Sequence, residues 1–330
     1  MAAVESIEIL SPGLQTTVQD LGRFGFGRYG VAPSGALDSF ALRIGNLLVD
    51  NPENQACLET TLLGLRIKAL TDVLIAVTGA NLQPRVDKRP LEMWCSHILN
   101  KGEILSFSGP SSGCRSYIAL GGGIDIPPVL GSKSTSLPSG FGGFQGIALE
   151  AGAILFSDSP QAKLVASHRK FEPKWIPTYP GKWIVRVIWG PQDDDFTEGG
   201  RQTFLKSSYK VSSESDRTGI RLDGPLIQRK ADIPESIISE GLISGSIQVP
   251  GDGKPIIILG ETVSGGYRKI ATVISADLPL LGQIRPGDEI HFISISVDEA
   301  IKALRKMEIR IKHFKERLSD KASKREKIIP

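Results

Sequence analysis

Apolar residues in this chain come mostly in short runs separated by glycine and proline, and they rarely repeat at helical spacing. The runs VLIAVTGA, SYIALGGGI, WIVRVIWG, KPIIILGE and KIATVISA are rich in Val, Ile and Thr and bounded by turn residues, which predicts strands. A phrase recurs at 99–107, 149–156 and 284–292: LNKGEILSF, LEAGAILF and IRPGDEIHF each place an apolar residue, a glycine turn and a strand ending in Phe in nearly one register. Its return near the end of both halves predicts two related β-domains, each a barrel or a sandwich.

Helical patterns are few. Ser34 is placed to cap a helix through ALDSFALRIGNLLV, and Asn51 with Pro52 to start a second through PENQACLETTL. From Val297 the apolar residues Val297, Ala300, Leu304, Met307, Ile311, Phe314 and Leu318 alternate steps of three and four, the seam of a helix that packs on its own domain or on a partner chain. The following SDKASKREKIIP is expected to fray. The proline-rich segment 167–182 reads as a linker between domains at 1–166 and 183–297, with 298–330 as a basic amphipathic helix and tail.

Composition narrows the class. The 330 residues are 40% hydrophobic with a mean hydropathy of −0.04, and no apolar run approaches the roughly 20 residues of a membrane span. The N-terminus lacks a secretory pattern, and Cys57, Cys95 and Cys114 show no metal-like or disulfide-like spacing, which points to a reducing cytoplasm. The net charge of +3 belongs to the tail: residues 301–330 carry eleven Lys/Arg against four Asp/Glu, and the preceding 300 carry 28 against 32. A mildly acidic body argues against nucleic-acid binding.

Two familiar motifs fail on context. GFGRYG (25–30) has the spacing of a dinucleotide loop, but VQDLGRF before it is too polar for a buried strand and VAPSG separates it from the helix. GPSSG (109–113) matches a nucleophile elbow but leads into another strand. The four histidines form no metal-binding pair, so no metal site is expected. What remains is three loops rich in glycine and paired charge, at 16–38, 212–225 and 245–273.

With these loops in view, the chain resembles the family of the C-type subunit of prokaryotic 5-oxoprolinase, also called allophanate hydrolase subunit 2 or kinase-inhibitor antagonist. The resemblance runs from about Ile9 to Ser296 and is carried by TTVQDLGRFGFGRYGVAPSGALDSFALRIGNLLV, RSYIALGGGIDIPPVLGSKST, GFGGFQGIALEAG, WGPQDDDF, SDRTGIRLDGP, GSIQVPGDGKPIIIL and GGYRKIATVISADLP. It implies a mainly β fold with a few helices: two cyclophilin-like β-barrel domains plus a C-terminal helix. It also implies ATP-dependent opening of 5-oxoproline to glutamate, with Mg2+, in a hetero-oligomeric complex with a cyclophilin-like B-type subunit and an A-type subunit. The same module occurs in the carboxyltransferase region of biotin-dependent urea carboxylase. A regulatory role, sequestering a kinase inhibitor built like the B-type subunit, is the other alternative. No Met-Lys-Met is present, so no biotin is expected on this chain.

The positions so marked are Arg23, Asp38, Asp216, Arg217 and Lys269 as catalytic candidates. Asp20, Ser34, Arg221, Gln248, Thr262, Gly265, Gly266 and Tyr267 are the substrate-binding candidates. Cations suit phosphoryl oxygens, and hydrogen-bonding groups suit a small anionic amide. The chain departs from the family at Gly260-Glu261-Thr262-Val263-Ser264, where Gln-Thr-Thr is usual, and at Arg268, where Pro is common.

Overall fold

In the first half, alternating burial splits the strands into two facing sheets. One has six strands in the order Ile154–Ser157, Val4–Pro12, Leu65–Ala69, Ile104–Phe107, Pro84–Val86 and Arg89–Pro90. The other has five, Gln15–Gln19, Cys57–Thr61, Ser112–Leu120, Val73–Asn81 and Ser96–Leu99. Ile7, Ile9, Leu65 and Ile67 from the first meet Val18, Leu58, Ile75, Val77 and Ile118 from the second in one core. The computed structural model describes residues 3–158 and 160–326.

VLIAVTGA lacks alternation because its strand is buried on both faces. Ile75 and Val77 face the core between the sheets, whereas Leu74 and Ala76 pack under a helix, α1 (Ser39–Leu48).

The second half closes into a seven-stranded barrel in the order Lys182–Trp189, Arg268–Val273, Ser246–Val249, Ile256–Ile258, Gly219–Asp223, Ser208–Val211 and Glu289–Ser294. In Lys182–Trp189, Trp183, Val185 and Val187 point inward while Ile184 is exposed, as period two requires. A short helix, α2 (Glu198–Lys206), lays Phe204 against Phe292, ring centroids 4.5 Å apart. The mainly β architecture with a few helices is therefore present, but only one half is a closed barrel. The repeated phrase is a turn and strand in all three places, and its glycines, Gly102, Gly152 and Gly287, share a left-handed φ of 86–91° that a side chain would strain.

Three local expectations are corrected. The helix at 39 is capped by Asp38, whose Oδ1 accepts from Ala41 N at 2.9 Å, and not by Ser34. Ser34 and Gly35 both have positive φ and turn the chain tightly against Gly22, so the helix starts only after this bend. PENQACLETTL is no helix: after a turn at 52–55, Cys57–Thr61 is a central strand paired on both sides. Ladder pairing outweighs its local helix signals.

Segment 167–182 is not a loose tether. Phe171 is buried and meets Phe314 edge-on at 4.9 Å, while Tyr179 is buried at the junction of the halves. Phe314 belongs to α4 (Val297–Glu326), which follows a helical turn, α3 (Leu278–Leu281). Ile311 and Phe314 are fully buried on the first half, and Arg43 grips Glu308 with two hydrogen bonds of 2.6 and 2.8 Å. The seam thus covers its own chain from Met307 onward, while Val297 remains exposed. The helix persists to Glu326; the rest of the segment expected to fray lies outside the described residues.

Candidate functional site

The two halves are locked by polar groups that neither half satisfies alone. Gln283 accepts from the N–H groups of Cys114 and Arg115, each at 3.0 Å, and donates to Asp38 Oδ2 at 2.7 Å. Tyr179 donates to the same oxygen at 3.2 Å. Burial pushes the Asp38 carboxyl up to about 6, against the pull of these donors.

Beside it, Arg217 reaches from the 212–225 loop into the first half. Its Nε and NH2 donate to Glu261 Oε1 at 3.1 and 2.9 Å, NH2 also donates to Gly35 O at 2.7 Å, and NH1 pairs with Glu59. Glu59 further accepts from Tyr117 OH at 2.6 Å and Leu37 N at 3.0 Å, and Ser34 Oγ donates to Glu261 at 3.0 Å. All three charged side chains are at least 95% buried. Despite burial, Arg217 and Arg115 hold the Glu59 carboxyl below its ordinary range. This one cluster ties all three sequence loops together.

Two cavities that share lining residues lie near the cluster. The first, about 680 Å3, is lined by Asp216 and by Arg221 of the barrel strand Gly219–Asp223, by Gln248 of the strand Ser246–Val249, and by Thr262, Gly265, Gly266 and Tyr267 from the segment leading into Arg268–Val273. Arg221 is exposed there and forms no ion pair among the described residues. Asp216 holds its own loop, accepting from Thr218 N and Gly219 N at 2.7 and 3.1 Å. Gln248 Nε2 donates to Tyr267 O at 3.2 Å, and a Cβ on Gly265 would strike that amide at 2.6 Å. Glycine here lets the segment lie directly over the Gln248 amide.

A second cavity, about 540 Å3, shares the wall of Leu242 and Ser264 with the first. Arg23, Gly25, Gly27, Arg28 and Gly30 form one side, and Ser239 to Leu242 the other. Arg23 is buried; its NH2 donates to Ser134 O, and its guanidinium lies 4.8 Å from the centre of the Phe141 ring. Its Nε and NH1 have no hydrogen-bond partner among the described residues. A buried donor left unsatisfied costs about 1–3 kcal/mol, and more when charged. Burial pulls the guanidinium down from its ordinary value, with Asp20 and Glu261 opposing.

Asp20 itself is saturated by Gly22 N, Ser132 Oγ, Ser134 Oγ and Lys133 N at 2.5–2.8 Å, so it fixes the loop rather than pairing with Arg23. Lys269 is buried and paired with Glu240 at the far wall, lowering the Glu240 carboxyl.

Of the sequence candidates, Asp216, Arg221, Gln248, Thr262, Gly265, Gly266 and Tyr267 share one open cavity, and Arg23 lines its neighbour. Asp20, Ser34, Asp38, Arg217 and Lys269 are buried in bonds within the chain. Glu59, Tyr117, Glu240 and Gln283 do not stand out in the sequence and Glu261 does so only as a departure from the family pattern, although a Glu inside the β-pattern LETT is itself a signal of a buried partner. Among the described residues no group of three or more His, Cys, Asp or Glu is placed to hold a metal, and no helix is long and apolar enough to cross a membrane. Cys57, Cys95 and Cys114 are free and buried.

Comparison with known proteins agrees with this architecture. The model of the carboxyltransferase domain, subdomain A and B, matches residues 29–294. The C-type subunit of 5-oxoprolinase from Escherichia coli strain K12 is 39% identical over 298 residues, 90% of this chain and 94% of that protein. Urea amidolyase of Lachancea kluyveri is 35% identical over 89% of this chain, which spans only 17% of that longer protein. The crystal structure of the Kluyveromyces lactis urea amidolyase superimposes with a TM-score of 0.87 at 32% identity, covering 95% of this chain and 20% of that one. The chain therefore belongs to the carboxyltransferase-domain (subdomain A and B) family that includes the C-type subunit of 5-oxoprolinase.

Proposed function

We propose that this chain is the C-type component of an ATP-dependent 5-oxoprolinase, working with a cyclophilin-like B-type subunit and an A-type subunit to open 5-oxo-L-proline to L-glutamate. The observation that carries this reading is the 39% identity over 94% of the E. coli protein, where the urea amidolyase match covers only 17% of a far larger one.

A lactam carbonyl is a weak electrophile, and what ATP supplies is a phosphoryl group that turns its oxygen into a leaving group. In this reading the 680 Å3 cavity takes the small cyclic amide. Arg221 provides a cation for its carboxylate, and the Gln248 amide and the Tyr267 hydroxyl provide hydrogen bonds to the ring amide. Arg217 acts at one remove, holding the 216–218 and 261–267 segments in register through Glu59 and Glu261, and Asp38 does so at the junction of the halves through Gln283 and Tyr179. The residues present suit a phosphate-bearing group on one count: Arg23 keeps two buried donors without partners.

The test is co-expression with the A-type and B-type counterparts, measuring glutamate and ADP. Turnover of ATP that depends on 5-oxoproline is the expected result; a well-folded complex without it defeats the reading. The kinship with urea amidolyase favours a second reading, a carboxyltransferase module for a biotin enzyme, which predicts urea carboxylation with a biotinylated partner instead.

A further inference from the structure

The 540 Å3 cavity has features that neither the fold nor the amide reading explains. Gly27 and Gly241 stand on its two sides, and neither has a positive φ nor any atom within 4 Å of where a Cβ would sit. Nothing within the chain calls for glycine at these positions. A bare backbone on two facing walls suits the close approach of something outside the chain. The backbone N–H groups of Phe24, Gly25 and Phe26 make no hydrogen bond among the described residues, in a loop whose glycines 25 and 30 take left-handed φ. Successive free N–H groups in such a turn form an anion-binding concavity.

The cations agree. Arg23 contributes two unpartnered donors, and it is built in: Gly142 lacks the Cβ that would strike its NH2 at 2.6 Å, and Phe141 covers its face. Arg28 lies over the Tyr29 ring at 4.7 Å and forms no ion pair among the described residues. Asp20, the nearest acid in the loop, is occupied by four donors, and Glu240 on the far wall is taken by Lys269 and by Gln192 at 2.8 Å.

We propose that this cavity is a phosphate-binding site, in which Arg23, Arg28 and the free N–H groups of Phe24 and Gly25 hold a ligand bearing at least two linked phosphates. Two arginines, a run of free amides and room beyond them exceed what one carboxylate needs. The shared wall of Leu242 and Ser264 sets this site beside the 680 Å3 cavity, so a terminal phosphate and a small amide can meet there. Phosphate binding stands apart from the 5-oxoprolinase reading; identifying the ligand as ATP rests on it.

The probe is inorganic pyrophosphate, titrated into the isolated full-length chain by calorimetry and thermal shift. The variants are Arg23→Lys and Gly27→Val, the second filling the cavity without removing any bond of the fold. The expected result is binding by the wild type, weakened at least tenfold in both variants, with the Gly27→Val chain as thermostable as the wild type without ligand. No binding, or equal binding by all three chains, overturns the site.

In the assembled complex the variants raise KM for ATP at least tenfold and leave KM for 5-oxoproline within twofold. The reverse pattern assigns the cavity to the substrate carboxylate and overturns the proposal. A complex without 5-oxoproline-dependent turnover, in which this chain still binds pyrophosphate through Arg23, defeats the functional reading and leaves this site standing.

Discussion

Arg217 and Arg23 are both buried arginines from glycine-flanked loops, yet they stand in opposite states. Arg217 is fully engaged: Nε, NH1 and NH2 all donate to Glu59, Glu261 or the Gly35 carbonyl. Arg23 keeps Nε and NH1 without partners beside a cavity. A buried charge is tolerated when paired and hydrogen-bonded, so the saturated arginine is explained by the fold and the unsaturated one is not. Residue type and burial are the same in both; the count of satisfied donors separates a structural pin from a ligand group.

The largest effect expected from this contrast is at the pin. Arg217→Ala strips Glu261 of its ion-pair partner, leaves Glu59 with Arg115 alone at 3.6 Å, and costs about 3–5 kcal/mol of stability, read by denaturant unfolding. Adding Glu261→Gln to that variant recovers part of the loss, because one stranded charge is gone. A cost under about 1 kcal/mol for Arg217→Ala breaks the comparison.

A second test uses the neighbouring acid. Asp38 is raised from 3.8 to about 6 by burial. A carboxyl that binds its proton more tightly when folded contributes stability fully present below pH 3.8, and this is lost as pH rises through about 6. Relative to Asp38→Asn, the wild type is therefore expected to lose up to about 3 kcal/mol across that window. A flat difference places the Asp38 carboxyl at its ordinary value.

The smallest effect on stability, and a clear one on function, is expected at the exposed face of the strand Gly219–Asp223. Arg221→Ala changes stability by no more than about 0.5 kcal/mol, since this arginine is exposed and forms no ion pair among the described residues. In the complex it raises KM for 5-oxoproline about tenfold, equivalent to roughly 1.4 kcal/mol of binding. A drop in melting temperature with unchanged KM makes Arg221 another pin and erases the distinction.

Much of the fold was legible in the chain. The β-runs, the three glycine turns at 102, 152 and 287, and the seam of α4 were readable, because each follows from sterics or periodicity within about ten residues. The misreadings fall where distant contacts intervene. The strand Cys57–Thr61 carries helix-start signals, but its partners are Gln15–Gln19 and Ser112–Leu120. The stretch 167–182 is poor in apolar residues, but of the few it has Phe171 and Tyr179 are buried anchors, and Trp175 and Ile176 pack against the same core as Phe171. In the candidate site, the loops were legible as glycine-rich and charged, and the partners Glu59, Tyr117 and Gln283 were not.

The sequence by itself determined which residues turn, which strands alternate, and which loops carry charge, since these are local properties of the backbone and of side-chain polarity. Only the tertiary structure decided which of those charges remain available. Arg217 meets Glu59 across 158 positions and Glu261 across 44, whereas among the described residues nothing arrives to meet two nitrogens of Arg23. Whether a donor is satisfied depends on atoms within about 3 Å, and chain closure over such separations brings them there or does not.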